Sequence, residues 1–536
     1  MNSGKKQIRI ALIIFGISFL FMCAISAVRN APGYMDEAYY FMGGQNLYHG
    51  MGFTENILWN YLDDPAGIPH PSHLYWMPSA SIIAYWGMLL WGNDGYFAAT
   101  FFFSILAAIV PAITYILAIR YIKDDFLSLL ASGFSLFGGY YLVYYAAVET
   151  FTLYMLLGTM FVGCAAMWKP EKKRLWVLKA ALLGAIAGLM HLTRADGILW
   201  LALSIFVLFA ENIWQQKKLL LRTRFTQTVF LLAATVFAYV LVMFPWYSRN
   251  IQFFGTLNVP GAAQTMFLTK YDDLYLYPAA DLTFGAMVEH GLANMVMERI
   301  QSFGMNMLSL LGVQHLVFLL PFTVIALWKR RKEELVIYLL IAWAMILGLM
   351  SFVFPFSGSR GGYFHSASAL QIWLNILAAI GFGDFILWMV KKRGWNPTQS
   401  KRVLGIGFLA IFAVCSLAIG SIKMLPGDSK YSGWSADSHK FAEIDGVLTT
   451  LGIARSASIL VNDPPSSYVF TQRPSLVIPN GGVEMVAAVM DRYGVEFLIL
   501  QEDHPQKLHD LFTGAENPDQ LVLIYTDQDF QIWQRN

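Results

Sequence analysis

Residues 5–40 read KKQIRIALIIFGISFLFMCAISAVRNAPGYMDEAYY. Three bases, Lys5, Lys6 and Arg9, precede an apolar run at 10–28, and the adjacent acids Asp36 and Glu37 follow a few residues after it. The run of about 19 residues matches a bilayer crossing and exceeds the roughly 7–15 residues of a cleavable signal core, so it reads as a retained first span. The rest of the chain repeats the pattern. Of its 536 residues 57% are hydrophobic and 13% charged, against about 25% charged in a soluble domain. That leaves too little polar surface to face water, so lipid must be the solvent. The basic residues stand in short clusters flanking apolar runs, which makes no stripe for nucleic acid. Cys23, Cys164 and Cys415 all lie inside apolar runs, which predicts neither a disulfide nor a thiolate metal site.

Eleven runs are long enough to span: 10–28, 97–119, 126–148, 150–168, 175–190, 197–213, 226–246, 305–328, 335–357, 366–390 and 403–424. A shorter run at 78–92 opens with proline, and the positive-inside rule decides its nature. If it does not span, the cytoplasmic segments 1–9, 120–125, 169–174, 214–225, 329–334 and 391–402 hold 22 Lys and Arg. The outer loops 29–96, 191–196, 247–304 and 355–365 then hold six, namely Arg29, Arg194, Arg249, Lys270, Arg299 and Arg360. If it spans, every later basic cluster inverts to the outside. Residues 78–92 therefore read as a helix lying in the outer interface.

The expected fold is an all-α polytopic membrane domain over 1–425, with about eleven spans plus interfacial helices in the first outer loop. A small α/β domain over 426–536 follows on the outside. Its composition changes at Leu425-Pro426-Gly427. Strands are expected at 458–462, 496–500 and 521–525, and helices at 438–451, 483–493 and 504–512. No internal repeat is visible, which argues against an inverted-repeat transporter.

Two outer loops are long, 29–96 and 247–304, and long loops are where function concentrates. Asp36 and Glu37 repel each other, so one holds a proton or both share a cation, and either state suits a general base at the membrane face. The same pair also reads as a cap on a helix over 38–47, favoured by its dipole. Glu149 sits at the outer turn between two apolar runs with no base near it in sequence, which makes it a functional candidate or an acid facing water. His191-Leu-Thr-Arg194-Ala-Asp196 packs three ionisable groups into one turn, either as a self-satisfied Arg–Asp pair or with Arg194 on a phosphate. Arg249 follows Phe244-Pro-Trp-Tyr-Ser, and Arg360 and His365 bracket Gly361-Gly-Tyr-Phe364; each arginine suits a phosphate, whether a substrate's or a lipid headgroup's. His70 and His73 form an H-x-x-H whose prolines make it unlike a helical ligand pair. Tyr34, Tyr39, Tyr40, Trp59, Tyr61, Tyr75 and Trp76 crowd the first loop, as an aromatic belt or as a platform for sugar rings. A pore would need ionisable groups along its spans; here they are few, with Lys179, Glu211, His315 and Asp384 the exceptions, beside Lys423 at the end of the last run.

This layout resembles the GT-C superfamily of membrane glycosyltransferases, in particular protein O-mannosyltransferases and lipid A aminoarabinose transferases. The resemblance covers most of 1–425. It rests on Asp36-Glu37 after the first span, an interfacial helix in the first outer loop, an acid (Glu149) opening the fourth span, the Phe-Pro-Trp-Tyr…Arg249-Asn run and an outer C-terminal domain. It implies transfer of a sugar from a polyprenyl-phosphate donor to a glycan, lipid or protein acceptor on the outer face of a prokaryotic plasma membrane, with inversion. Asp36 matches the family's base. Glu37 and Glu149 would orient acceptor, base or a divalent cation. Such a cation, on Asp36, Glu37 and Glu149, is the one cofactor the pattern leaves room for. Arg249 and Arg360, then His191 and Arg194, with His365 beside them, would hold the donor phosphate. Tyr34, Tyr39, Tyr40, His70, His73, Tyr75 and Trp76 would line the sugar and acceptor path. Two features depart from the family: glutamate stands at 149 where aspartate is usual, and His70-Pro71 stands where a base often precedes a Pro-Pro pair. A flippase of lipid-linked sugars and a non-catalytic membrane scaffold are the competing readings.

Overall fold

In the computed structural model, residues 3–170, 172–215 and 221–536 are described; parts of the basic clusters at 169–174 and 214–225 lie outside them. The chain forms two compact units. The first comprises 1–28, 100–249 and 299–423, and the second 29–99, 250–298 and 424–536.

The first unit is helical. Among the described residues, seven helical stretches are long and apolar enough to cross a membrane: Gly4–Ala27, Tyr96–Ile122, Arg174–Thr193, Phe225–Phe254, Glu334–Val353, Pro355–Arg393 and Pro397–Met424. The protein is an integral membrane protein. Helices also form on the other expected runs, but two of these runs are not single rods. On 126–148 the helix Asp125–Phe137 stops at Gly138, and a 3₁₀ segment Gly139–Tyr144 follows. Gly138 and Gly139 have φ of 63° and 61°, left-handed conformations that close a helix and that only glycine adopts cheaply. On 305–328 the helix Leu292–Ser309 passes into a π turn at Leu310–Gln314 and resumes at Leu320–Arg330. Leu316 and Val317 take φ of 44° and 64° there, a conformation that hydropathy has no means of registering. Phe151–Met167 and Ile198–Gln215 cover the fourth and sixth runs.

The first unit also answers its own interior charges. Lys179 and Glu211 are both buried, and the ammonium donates to both carboxylate oxygens at 2.9 Å and to the carbonyls of Ala165 and Trp168 at 2.8 and 3.0 Å.

The second unit is mixed. The helix Met35–Tyr48 packs on Ser79–Trp91 through small residues: a Cβ built at Gly44 would lie 2.9 Å from the Ala84 methyl. The 13-residue helix Ser79–Trp91 is about 20 Å long, short of the roughly 30 Å hydrocarbon core, and Trp86, Leu89, Leu90 and Trp91 are exposed on it. A six-stranded sheet runs in the order Ile57–Leu58, Ser475–Val477, Ile459–Val461, Phe497–Gln501, Phe530–Arg535, Leu521–Thr526. The first four strands are parallel and the last two add antiparallel. Its edge strand Ile57–Leu58 comes from the first long loop, in register with Ser475 and Leu476. Tyr61 reinforces that junction by donating its hydroxyl to the carbonyl of Val477. The helices Ala436–Thr450 and Val483–Tyr493 flank the sheet and bury Phe441, Ile444 and Leu448 in one apolar cluster and Val486, Val489 and Met490 in another.

Asp463 caps the helix Pro464–Thr471, accepting from the Ser466 amide at 3.0 Å. Burial, with Asp437 adding to it, pushes its carboxyl from 3.8 up to about 7. A raised carboxyl binds its proton more tightly in the folded state, so the stabilisation is full below the unfolded value near 4 and is lost as pH rises to about 7. Asn cannot ionise and caps as well as Asp. In thermal unfolding of the full chain, Asp463→Asn should therefore gain on the wild type as pH rises from about 4 to 7, by on the order of 1–3 kcal/mol, with no further change at higher pH. An advantage that does not change with pH would disprove the assignment.

Candidate active site

Asp36 and Glu37 stand in the first turn of the helix Met35–Tyr48. The cap is Tyr34, extended at φ −168° and ψ 165°, with no side-chain cap bond. The acids are thus inside the helix, one turn earlier than a cap on 38–47 requires. Both complement the positive end of its dipole. They differ in setting. Glu37 is fully buried; one oxygen accepts from the Gly33 amide at 2.9 Å and the other from the Tyr96 hydroxyl at 2.6 Å. Asp36, its neighbour, is partly exposed. One carboxylate is buried and accepts from two donors; the other keeps part of its surface exposed.

The aromatic residues of the first loop form one network in this unit. Trp59 stacks on Trp76 at 4.2 Å, Tyr39 meets Trp76 at 4.5 Å, and Tyr75 sits edge-on to Trp59 at 4.8 Å. Tyr39 and Tyr40 are buried, whereas Tyr34, Tyr75 and Trp76 keep part of their surface. The H-x-x-H histidines are engaged in structure. His73 contacts Ser72 Oγ through Nδ1 at 2.7 Å and Ser81 Oγ through Nε2 at 2.9 Å. His70 Nε2 faces the Ile57 carbonyl at 2.7 Å and Glu55 at 3.4 Å. With these ring nitrogens in internal bonds, the pair is not set up as two metal ligands.

In the first unit Glu149 lies in the turn between the 3₁₀ segment and the helix Phe151–Met167. It is 1% exposed, and one oxygen accepts from the amide and hydroxyl of Thr150 at 2.6 and 2.8 Å. His365 Nδ1 stands 3.8 Å from the same oxygen, its ring stacked on Phe151 at 4.1 Å. Two residues far apart in the sequence thus meet. A carboxylate oxygen and an imidazole nitrogen so spaced can bridge a cation held at about 2.0–2.2 Å from each. Arg194 joins the same neighbourhood: its Nε donates to Asp196 at 2.9 Å and a terminal nitrogen reaches Ser366 Oγ at 3.4 Å. The Arg194–Asp196 pair exists, as the blander reading of that turn held. His191 is turned to Tyr239, with Nδ1 2.5 Å from its hydroxyl.

Arg249 is not in a loop. The helix Leu221–Phe254 runs through Pro245 and carries Arg249 with its guanidinium 4.7 Å over the Trp246 ring. Arg360 is exposed in the turn Gly358–Gly362, next to Gly361 at φ 149°. The sequence reading had missed Tyr96, Gly33 and Trp434. Trp434 lies edge-on to Tyr34 with ring centres 5.7 Å apart. These are contacts between distant or featureless positions, and no motif marks them.

No protein-family model matches the chain, and no curated protein matches its sequence. Solved structures do match its fold. The oligosaccharyltransferase of Archaeoglobus fulgidus, in complex with zinc and sulfate, aligns at TM-score 0.56 and 11% identity over 90% of this chain and 68% of its own. The same enzyme, AglB, with an inhibitory peptide and a dolichol-phosphate gives 0.57 and 12% over 92% and 69%. ArnT from Cupriavidus metallidurans, bound to undecaprenyl phosphate, gives 0.51 and 11% over 100% and 98%. Both neighbours are membrane glycosyltransferases of the GT-C superfamily, and the fold of this chain, a helical membrane body with a small C-terminal sheet, is the GT-C fold.

Proposed function

We propose that the chain is a membrane glycosyltransferase that moves a sugar from a polyprenyl-phosphate donor to an acceptor on the extracytoplasmic face, with inversion and with Asp36 as general base. The observation that carries this reading is the pair of settings in the first turn of Met35–Tyr48, where Glu37 is buried and bonded to Gly33 and Tyr96 while Asp36 keeps part of its surface exposed. In the reaction, Asp36 takes the proton of the acceptor group as its heteroatom bonds the anomeric carbon. The bond from that carbon to the phosphate oxygen breaks, and its electron pair leaves with polyprenyl phosphate. Arg249 and Arg360 would meet the charge growing on that phosphate, with Arg194, His191 and His365 in support, since donors aimed at developing charge lower the barrier most. The partly exposed Tyr34, Tyr75 and Trp76 would offer faces to sugar rings. A divalent cation, if bound, would supply Lewis-acid stabilisation of phosphate charge; the carboxylates of Asp36, Glu37 and Glu149 and the imidazole of His365 are donors of the right chemistry. The solved neighbours hold undecaprenyl phosphate in one case and dolichol-phosphate in the other, which supports a lipid-linked donor here.

The test is a donor screen. Purified chain in lipid nanodiscs, given polyprenyl-phosphate sugars labelled in the sugar, should release polyprenyl phosphate and pass label to an acceptor or to water. Translocation of intact labelled lipid without release of polyprenyl phosphate would replace this reading with that of a flippase.

A further inference from the structure

The first turn that carries Asp36 has an irregular lead-in: residues 29–34 form neither helix nor strand, and Tyr34 caps without a side-chain bond. What holds this lead-in comes from the far end of the chain. The Trp434 indole lies against Gly33 so closely that a Cβ built there would fall 2.5 Å from Cε2 and 2.6 Å from Cδ2. Tyr34 meets the same ring edge-on at 5.7 Å. The guanidinium of Arg29 stacks on it at 4.6 Å. Arg29 is 3% exposed, and none of its three guanidinium nitrogens has a hydrogen bond among the described residues, so the indole face is a contact that favours this buried cation. Trp434 is in turn anchored: its amide donates to the Met424 carbonyl at 3.2 Å, and Gly433 before it, at φ 71°, sits where a Cβ would fall 2.7 Å from Leu425 backbone atoms. Arg29, Gly33 and Tyr34 are thus all gathered on one side chain of the C-terminal segment. Glu37 accepts from the Gly33 amide.

We propose that Trp434 is a positioning residue: it clamps the lead-in 29–34 and so sets where Asp36 and Glu37 stand, which gives the C-terminal segment a part in catalysis. The rate consequence rests on the glycosyltransferase reading; the clamp itself does not. A small misplacement of a reacting group costs on the order of 10²-fold in rate, and a flat ring is what Gly33 and Tyr34 require.

The test has two arms on the full chain in nanodiscs. In amide hydrogen exchange, Trp434→Ala should speed exchange across residues 29–37 by at least about 10-fold, the Gly33 amide included, while Trp434→Phe stays near wild type. In sugar transfer, Trp434→Ala should lower kcat by about 10–10²-fold with the donor KM within about 2-fold, and Trp434→Phe should recover most of the loss. Gly33→Ala, whose methyl collides with the indole, should impair transfer alone, yet Gly33→Ala/Trp434→Ala should be no worse than either single variant, because the methyl then enters space the ring has left. Exchange in Trp434→Ala equal to wild type overturns the clamp, whatever the activity. Faster exchange with unchanged kcat overturns the positioning role, as does strict additivity of the two substitutions. If the wild-type chain transfers no sugar, the functional reading has failed, and the exchange arm alone judges the clamp.

Discussion

Asp36→Asn is expected to lower the rate of sugar transfer by about 10²–10⁴-fold, the range a general base supplies, while the donor KM stays within about 2-fold and the protein inserts and folds as before. The amide has the shape of the carboxylate but no capacity to take the acceptor's proton. Its cost to folding is small. Asp36 is partly exposed, and the charge lost from the first turn of Met35–Tyr48 is worth about 0.3–1 kcal/mol of helix-dipole interaction. Glu37→Gln forms the instructive contrast. Glu37 is buried and accepts from an amide on one oxygen and a hydroxyl on the other. A carboxamide sets an NH₂ against one of those donors, and leaving such a buried group unpaired costs about 1–3 kcal/mol. The first substitution is therefore expected to remove turnover without moving the melting temperature. The second is expected to move both. Steady-state transfer from a labelled polyprenyl-phosphate sugar, alongside unfolding in the same nanodiscs, reads the two outcomes. Full turnover by Asp36→Asn would remove Asp36 as the base and with it the mechanism above.

How far the sequence could be read follows from the range of each signal. The first span, expected at 10–28 and found as the helix Ser3–Ala27, was legible because a bilayer imposes a length and composition on any segment that crosses it. Asp36 and Glu37 stand out for a related reason, since two acids soon after a crossing are conspicuous against so few charges, and both lie in the first turn of the helix that follows. The helix breaks were not. Gly138-Gly139 lies in an apolar run that hydropathy treats as continuous, and Leu316 and Val317 take left-handed φ values with no glycine to announce them. In the C-terminal segment, the strand expected at 458–462 is Ile459–Val461, and the helix expected at 483–493 is Val483–Tyr493. The strands Ile57–Leu58 and Ser475–Val477, of two and three residues, are too short to show alternation, so the sheet's reach into the first loop stayed hidden. The approach of His365 to Glu149 and of Trp434 to Gly33 depends on tertiary packing alone. For Arg249 the error had a definite cause. The apolar run ends at 246, but the helix Leu221–Phe254 continues past it and carries Arg249, because hydropathy marks where lipid ends and not where a helix does.

Glu211→Leu and Lys179→Met are each expected to destabilise the fold by about 3–5 kcal/mol, while the double substitution costs less than either alone. The pair is buried, and Glu211 receives both Lys179, at 2.9 Å to each oxygen, and the half-exposed Lys169, at 2.7 Å. Removing the glutamate leaves the Lys179 ammonium with the carbonyls of Ala165 and Trp168 but no counter-charge. Removing the lysine leaves a buried carboxylate with only its partly exposed partner. Taking out both replaces ions by hydrocarbon of similar volume, which buried sites accept. Midpoints of denaturant unfolding in a fixed detergent measure all three, and single variants as stable as the wild type would show that the pair is not buried as found. The result also bears on function. Lys169 in addition contacts Glu334, at the start of the helix Glu334–Gly348, so the ionisable groups here knit the ends of neighbouring helices on the side where the basic clusters gather. A proton or ion path needs groups that exchange partners along the spans. Lys179 and Glu211 instead neutralise each other in place, and an effect of their removal on stability rather than turnover would agree with the proposed function, in which the chemistry takes place at helix ends.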